Sequence, residues 1–219
     1  MTDQTGLETP IEGLWATPPA PLPFDSTVDI RAFLLERPHG NLIVYDAPGL
    51  AAAASEIQAH GGATRQLINH AHEAMFGSHG LDVGVFVGER DRHATAHSLP
   101  IAGTFSERQT LDDDLEVIPT PGHTPGATSF LWDSGRHRFL FTGDTLWIEH
   151  GAWRVTVLSD SDRAAYLHSL ALLRELEFDV LVPWAATAGE PYIDLVSHTQ
   201  AQQRLDAIIE RVQAGEEKA

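Results

Sequence analysis

The sequence predicts an α+β protein built as a four-layer αββα sandwich, two sheets face to face with helices outside. Three observations carry that reading. The chain falls into two halves, each with short apolar runs followed by helical patterns. No linker separates the halves. The 219 residues, 42% hydrophobic and 21% charged, suffice for a sizeable core. One domain spanning residues 1–219 is therefore expected.

The elements follow in order. Residues 1–24 are Pro-rich (Pro10, Pro18, Pro19, Pro21, Pro23) and read as an extended arm over the surface, part of the domain, with a short strand near Gly13, Leu14 and Trp15. Residues 30–35 and 41–45 read as two strands joined by a turn at Arg37, Pro38, His39 and Gly40. The Ala-rich stretch 50–60 suits a helix that Gly61 and Gly62 end. Residues 64–69, 83–87 and 115–118 are further strands, and 128–132 with 138–142 make a hairpin around Ser134 and Gly135. Tyr166, Leu167, Leu170, Leu173 and Leu176 recur at helical spacing over 162–176, behind Ser161 or Asp160 as cap. Residues 180–182 form a strand, and 192–213 a closing helix that frays into the C-terminal tail.

Composition excludes several functions. Lys plus Arg number 14 against 31 Asp plus Glu, a net charge of −17. Such a surface repels nucleic-acid phosphates, whose binding needs Lys and Arg to displace counterions, and it repels anionic lipid. There is no cysteine, so disulfides, thiolate metal sites and cysteine nucleophiles are ruled out. The first residues, Met1, Thr2, Asp3 and Gln4, show no secretory pattern. No apolar stretch approaches the roughly 20 residues of a membrane span. A cytoplasmic protein acting on a small molecule is expected, with no nucleic-acid or membrane partner.

Three segments at strand ends carry chemistry. His70 and His72 form a His-x-His pair; if the segment is extended, period two puts both imidazoles on one side, close enough for a metal. Alone, the pair is a weak signal, more readily read as two solvent-facing histidines. In the run from Thr120 to Gly126, two prolines and two glycines surround His123, which makes a stiff loop that holds the ring with little entropy left to lose. The plain alternative is a turn with an incidental histidine. Asp144 follows an apolar strand and Gly143, where an Asp also commonly caps a turn.

Taken together and in this order, these pieces resemble the metallo-β-lactamase superfamily. Its pattern runs His-x-His-x-Asp-His, then Pro-Gly-His-Thr-Pro-Gly, then Gly-Asp, then a final Pro-Gly-His. Residues 121–126 match unchanged, Gly143 and Asp144 match, and His70 and His72 match the first pair. The likeness runs from about Gly13 to the last helix and implies the glyoxalase II-like αββα fold. Three departures stand out. Ala74 and Met75 occupy the places of the family's Asp and second His, and Ala185 that of the final histidine. The resemblance therefore implies a degenerate binuclear site that lacks most second-metal ligands.

What remains is His70, His72 and His123, with Asp144 beside them. The implied function is a mononuclear metal-dependent hydrolase whose activated water attacks an ester, thioester or lactam-type carbonyl, with Asp144 as metal ligand and as the group that orients or deprotonates the water. The expected cofactor is one divalent metal, zinc, with iron as the alternative. His70, His123 and Asp144 alone would resemble the iron set of the persulfide dioxygenase branch. A third reading is a catalytically inactive binding module. Glu73, His79 and Glu190 are the residues that would replace a missing ligand; each is otherwise expected at the surface. The other histidines show no ligand spacing. Met75 and Trp184 are expected to fill the volume of the second metal, and Trp147, Trp153 and Trp184 to wall a pocket or serve the core. Family members are often dimers, so a homodimer is an implied assembly, although no periodicity marks an interface.

Overall fold

The computed structural model describes residues 6–216; residues 1–5 of the arm and 217–219 of the tail lie outside the described residues. The first sheet has seven strands in the order Glu8–Ile11, Leu14–Ala16, Phe33–Leu35, Leu42–Val44, Arg65–Leu67, Gly84–Gly88 and Ile101–Phe105. The last four run parallel. Parallel neighbours need a crossover, and helix Gly49–Ala59 supplies the first. The second sheet has six strands: Gln109–Leu111, Leu115–Pro119, Thr128–Asp133, Arg138–Phe141, Val180–Val182 and Asp194–Leu195. Its centre is the expected hairpin, closed where Asp133 pairs with Arg138.

Strand alternation sorts the second sheet's side chains between two cores. Val117, Phe130, Trp132, Phe139, Phe141 and Val182 join Leu14, Phe33, Leu35, Leu42 and Val44 of the first sheet. Ile118, Leu131, Leu140 and Leu181 instead meet Tyr166, Leu170, Leu173, Leu205 and Ile208 from helices Arg163–Arg174 and His198–Ala214. Phe33 and Phe141 touch across the sheets with ring centroids 6.2 Å apart. Each such buried side chain contributes about 1.5–3 kcal/mol. This is the expected sandwich of sheets flanked by helices.

A third sheet was not legible in the sequence. It has five short strands, Ala152–Arg154, Trp147–Glu149, Ala185–Thr187, Asp25–Ile30 and Ala20–Leu22. The N-terminal arm is thus strand-paired rather than laid over the surface, and its Leu14 and Ala16 are fully buried. Two helix starts also shift. Asp162 caps the helix read from 162, accepting from the Ala165 amide at 3.0 Å, because only it precedes the first helical residue. The closing helix starts at His198, capped by Ser197, since residues 194–195 are tied as a strand to Val180–Val182.

Candidate metal centre

His70, His72 and His123 converge. One ring nitrogen from each lies within 4.8 Å of the others, so the triad could hold a metal ion. His72 Nδ1 is 3.0 Å from His123 Nε2. Asp144 Oδ2 lies 3.5 Å from His70 Nε2 and 3.7 Å from His123 Nε2. Donors around tetrahedral zinc, with bonds near 2.0–2.1 Å, stand roughly 3.3–3.4 Å apart. The measured separations lie close to that spacing; the three histidines form the cluster that could hold an ion, and Asp144 stands beside His70 and His123. His70 Nε2 is also buried without a hydrogen-bond partner, as expected of a nitrogen aimed at an ion.

The backbone reaches this geometry by a different route from the one the His-x-His spacing suggested. His70 is extended, with φ −152° and ψ 162°, but Ala71–Phe76 is a 3₁₀ helix, so the two rings do not alternate along a strand. They meet edge to face, centroids 5.2 Å apart, because the chain turns between them. The His123 loop is built as its glycines implied. Gly122 has φ +146° and packs where a Cβ would strike the backbone of Tyr166. Gly143, before Asp144, has φ +55° and leaves no room for a Cβ beside Asn69.

Groups behind the imidazoles fix their tautomers. His123 Nδ1 donates to the Thr156 carbonyl at 2.8 Å, which leaves Nε2 with its lone pair toward the site. His70 Nδ1 donates to Glu73 Oε1 at 3.1 Å, which turns Nε2 toward the site, where an ion would take the place of its proton. Glu73 also accepts from the amides of Asn69 at 2.8 Å and Asp46 at 2.9 Å. It is completely buried rather than at the surface as expected, because these N–H groups replace water around its carboxylate. Asp91, which the sequence gave no reason to single out, is 2% exposed and ties the two ligand segments together. It accepts from Ala71 N at 2.9 Å, Thr124 Oγ1 at 2.5 Å and Gly126 N at 2.7 Å.

The electrostatics follow from this crowding. Burial opposes charge on His70, but Asp144 and Glu73 outweigh it and push the imidazole up to about 10. Burial, then the neighbouring His70, holds His123 down at about 4 and His72 also below its usual value. Asp144 resists burial because the three imidazoles keep its carboxyl below the ordinary range, whereas burial pushes Glu73 up.

The other residues read as replacement ligands lie elsewhere. His79 faces Asp46, its Nε2 2.8 Å from Oδ1, with its side chain 9% exposed rather than at the surface. Glu190 pairs with His150 at 2.9 Å. Trp184 is buried, donates its indole N–H to the Asp46 carbonyl at 2.7 Å and meets His70 edge-on at 5.4 Å. Met75 does not fill buried volume: it is 46% exposed and lines a cavity of about 650 Å³ in front of the imidazoles, as do Trp147 and Trp184. Trp153 belongs to the core beneath, stacked on Phe178.

This fold and this histidine cluster define a class, and comparison with known proteins names it. The family model of the metallo-beta-lactamase superfamily matches residues 48–185, more than half of the chain, and the chain belongs to that superfamily. Among solved structures it is similar to the metallo-beta-lactamase GOB-18 from Elizabethkingia meningoseptica, at 15% identity and TM-score 0.65, covering 98% of this chain and 94% of that one. It is also similar to a metallo-beta-lactamase from Pontibacter korlensis (18% identity, TM-score 0.68, 94% and 98% covered). A third likeness is to the DIM-1 metallo-beta-lactamase exposed to ceftazidime, with 16% identity, TM-score 0.70, and 93% and 95% covered. At these identities the likeness is one of fold. No curated protein sequence matches. No helix among the described residues is long and apolar enough to cross a membrane.

Proposed function

We propose that the protein is a metal-dependent hydrolase with one divalent ion, zinc, held by His70, His72 and His123, with Asp144 completing or flanking the shell. The observation that carries this reading is the direction of the nitrogens: two rings are fixed by acceptors behind them, and His70 Nε2 is buried without a hydrogen bond, Asp144 Oδ2 standing 3.5 Å away. An ion bound there would polarise a carbonyl and lower the pKa of a coordinated water toward neutrality. The chain's own groups do the rest. Asp144, ionised and 17% exposed at the cavity floor, takes or orients the proton of the attacking water. Trp184, Met75 and Trp147 keep bulk water from the reacting carbonyl. A mononuclear centre is favoured because Ala74 and Ala185 have no donor atom and are both packed in apolar clusters. An iron set of His70, His123 and Asp144 alone would leave out His72, whose Nδ1 stands at 3.0 Å from His123 Nε2. The test is His123→Ala: metal content and turnover should both fall to background, and unchanged hydrolysis would refute the reading.

A further inference from the structure

The cavity in front of the imidazoles bears on substrate class. Three large apolar side chains are exposed among the described residues, Phe24 at 76%, Leu195 at 59% and Met75 at 46%. Two of them, Phe24 and Met75, line this one cavity. Exposed apolar surface gathered at a concavity is a binding feature, whereas single exposed residues need no explanation. Trp147, Val155 and Leu158 extend the apolar wall.

The charges around that wall are arranged against an anion. Among the described lining residues Arg154 is the only Lys or Arg, and its Nε already donates to Glu149 Oε2 at 2.8 Å. Asp25 stands at the same mouth with no cation paired to it among the described residues; its carboxylate accepts from Thr27 N at 2.9 Å and Thr27 Oγ1 at 2.6 Å. An entering carboxylate would meet Asp25, Glu149 and Asp144, and one occupied guanidinium. The net charge of −17 adds repulsion at longer range.

We infer that the cavity takes an uncharged carboxylic ester by its apolar acyl group and discriminates against an ester whose acyl chain ends in a carboxylate. This rests on the hydrolase reading for the reaction but on the wall alone for the selectivity. In the reaction, water's oxygen bonds the acyl carbon, the ester C–O bond breaks, and the leaving alcohol takes a proton from water. No oxidant or reductant is needed. Met75 is thereby a specificity residue: the position that would carry a metal ligand in the family pattern carries part of the acyl wall.

The experiment uses the full chain loaded with zinc and two nitrophenyl esters, the hexanoate and the adipate monoester, which differ by a terminal carboxylate. The neutral ester should show kcat/KM at least about tenfold higher, the size expected of one unpaired-charge penalty. Glu149→Gln, which releases Arg154, should narrow the gap severalfold, and Met75→Glu should raise KM for the hexanoate. Binding is read separately with neutral N-phenylnaphthylamine and anionic anilinonaphthalene sulfonate. Equal kcat/KM for the two esters, or tighter binding of the anionic probe, overturns the inference. If neither ester is cleaved while the neutral probe binds and Met75→Glu weakens it, the selectivity stands and the hydrolase reading falls.

Discussion

Two walls of the same cleft are built on opposite plans. On one, His70, His72, His123 and Asp144 bring four donors together, and Glu73, Asp91 and the Thr156 carbonyl hold them from behind. On the other, Met75, Trp184 and Ala185 line the cavity without an imidazole or carboxylate, and Ala74 is packed in the core. That second wall is not merely emptied of ligands. Ala74 packs with Ile68 and Val87, and Trp184 has its indole N–H satisfied by Asp46. The contrast teaches that the donor cluster keeps its own supporting hydrogen bonds beside an apolar wall.

The largest expected effect separates the walls outright. His123→Ala should remove the ion and activity together, while Met75→Ala should leave the stoichiometry unchanged, as metal analysis of both variants would register. Next in size is the support behind His70. Glu73→Gln keeps the volume but strips acceptors from buried N–H groups, so metal affinity should drop about 10–100-fold. Stability should fall by about 1–3 kcal/mol. A competition titration with a chromophoric chelator reads the first and chemical denaturation the second; wild-type affinity would mean that Glu73 does not orient the ring.

A third prediction concerns the protein stripped of metal. His70 is raised to about 10, so the stability it contributes is complete below its unfolded value of 6.5 and is lost as pH rises toward 10. His123 is lowered to about 4, so its contribution is present above 6.5 and is lost as pH falls toward 4. The thermal midpoint of the stripped protein should peak near neutrality, and His70→Asn should flatten the alkaline limb. A wild-type midpoint that stays level from pH 7 to 10 would contradict this. The smallest effect belongs to the apolar wall: Met75→Leu, at a 46% exposed position, should change stability by less than about 0.5 kcal/mol. A larger loss would place Met75 in the core after all.

How much of this was legible in the sequence divides along physical lines. The long apolar strands 128–133 and 138–141 and the periodic helix 163–174 announced themselves, because a buried face repeats with a fixed period. The third sheet did not. Four of its five strands run to three residues, one of them contains Pro21, and the six-residue Asp25–Ile30 is polar at Asp25, Ser26, Thr27 and Asp29, so no apolar run marks it. Much of the cavity wall, including Trp147, Glu149 and Arg154, stands on that sheet, so the pocket was hidden with it. The convergence of His70 and His72 was anticipated on a strand periodicity that the 3₁₀ turn does not have. Glu73 was misplaced at the surface because lone carboxylates are seldom fully buried. A signal was nonetheless available: it sits three residues after His70, at the position where a Glu reaches back to cap the turn's first amide. Asp91 had none, since its partners come from loops 20 to 35 residues away in the chain.

The most direct measurement is the metal content of the full chain purified without chelator, by elemental analysis against protein concentration. One divalent ion per chain, lost in His123→Ala, is the expected result. Two ions, or one that survives that substitution, would contradict a single centre built on these imidazoles.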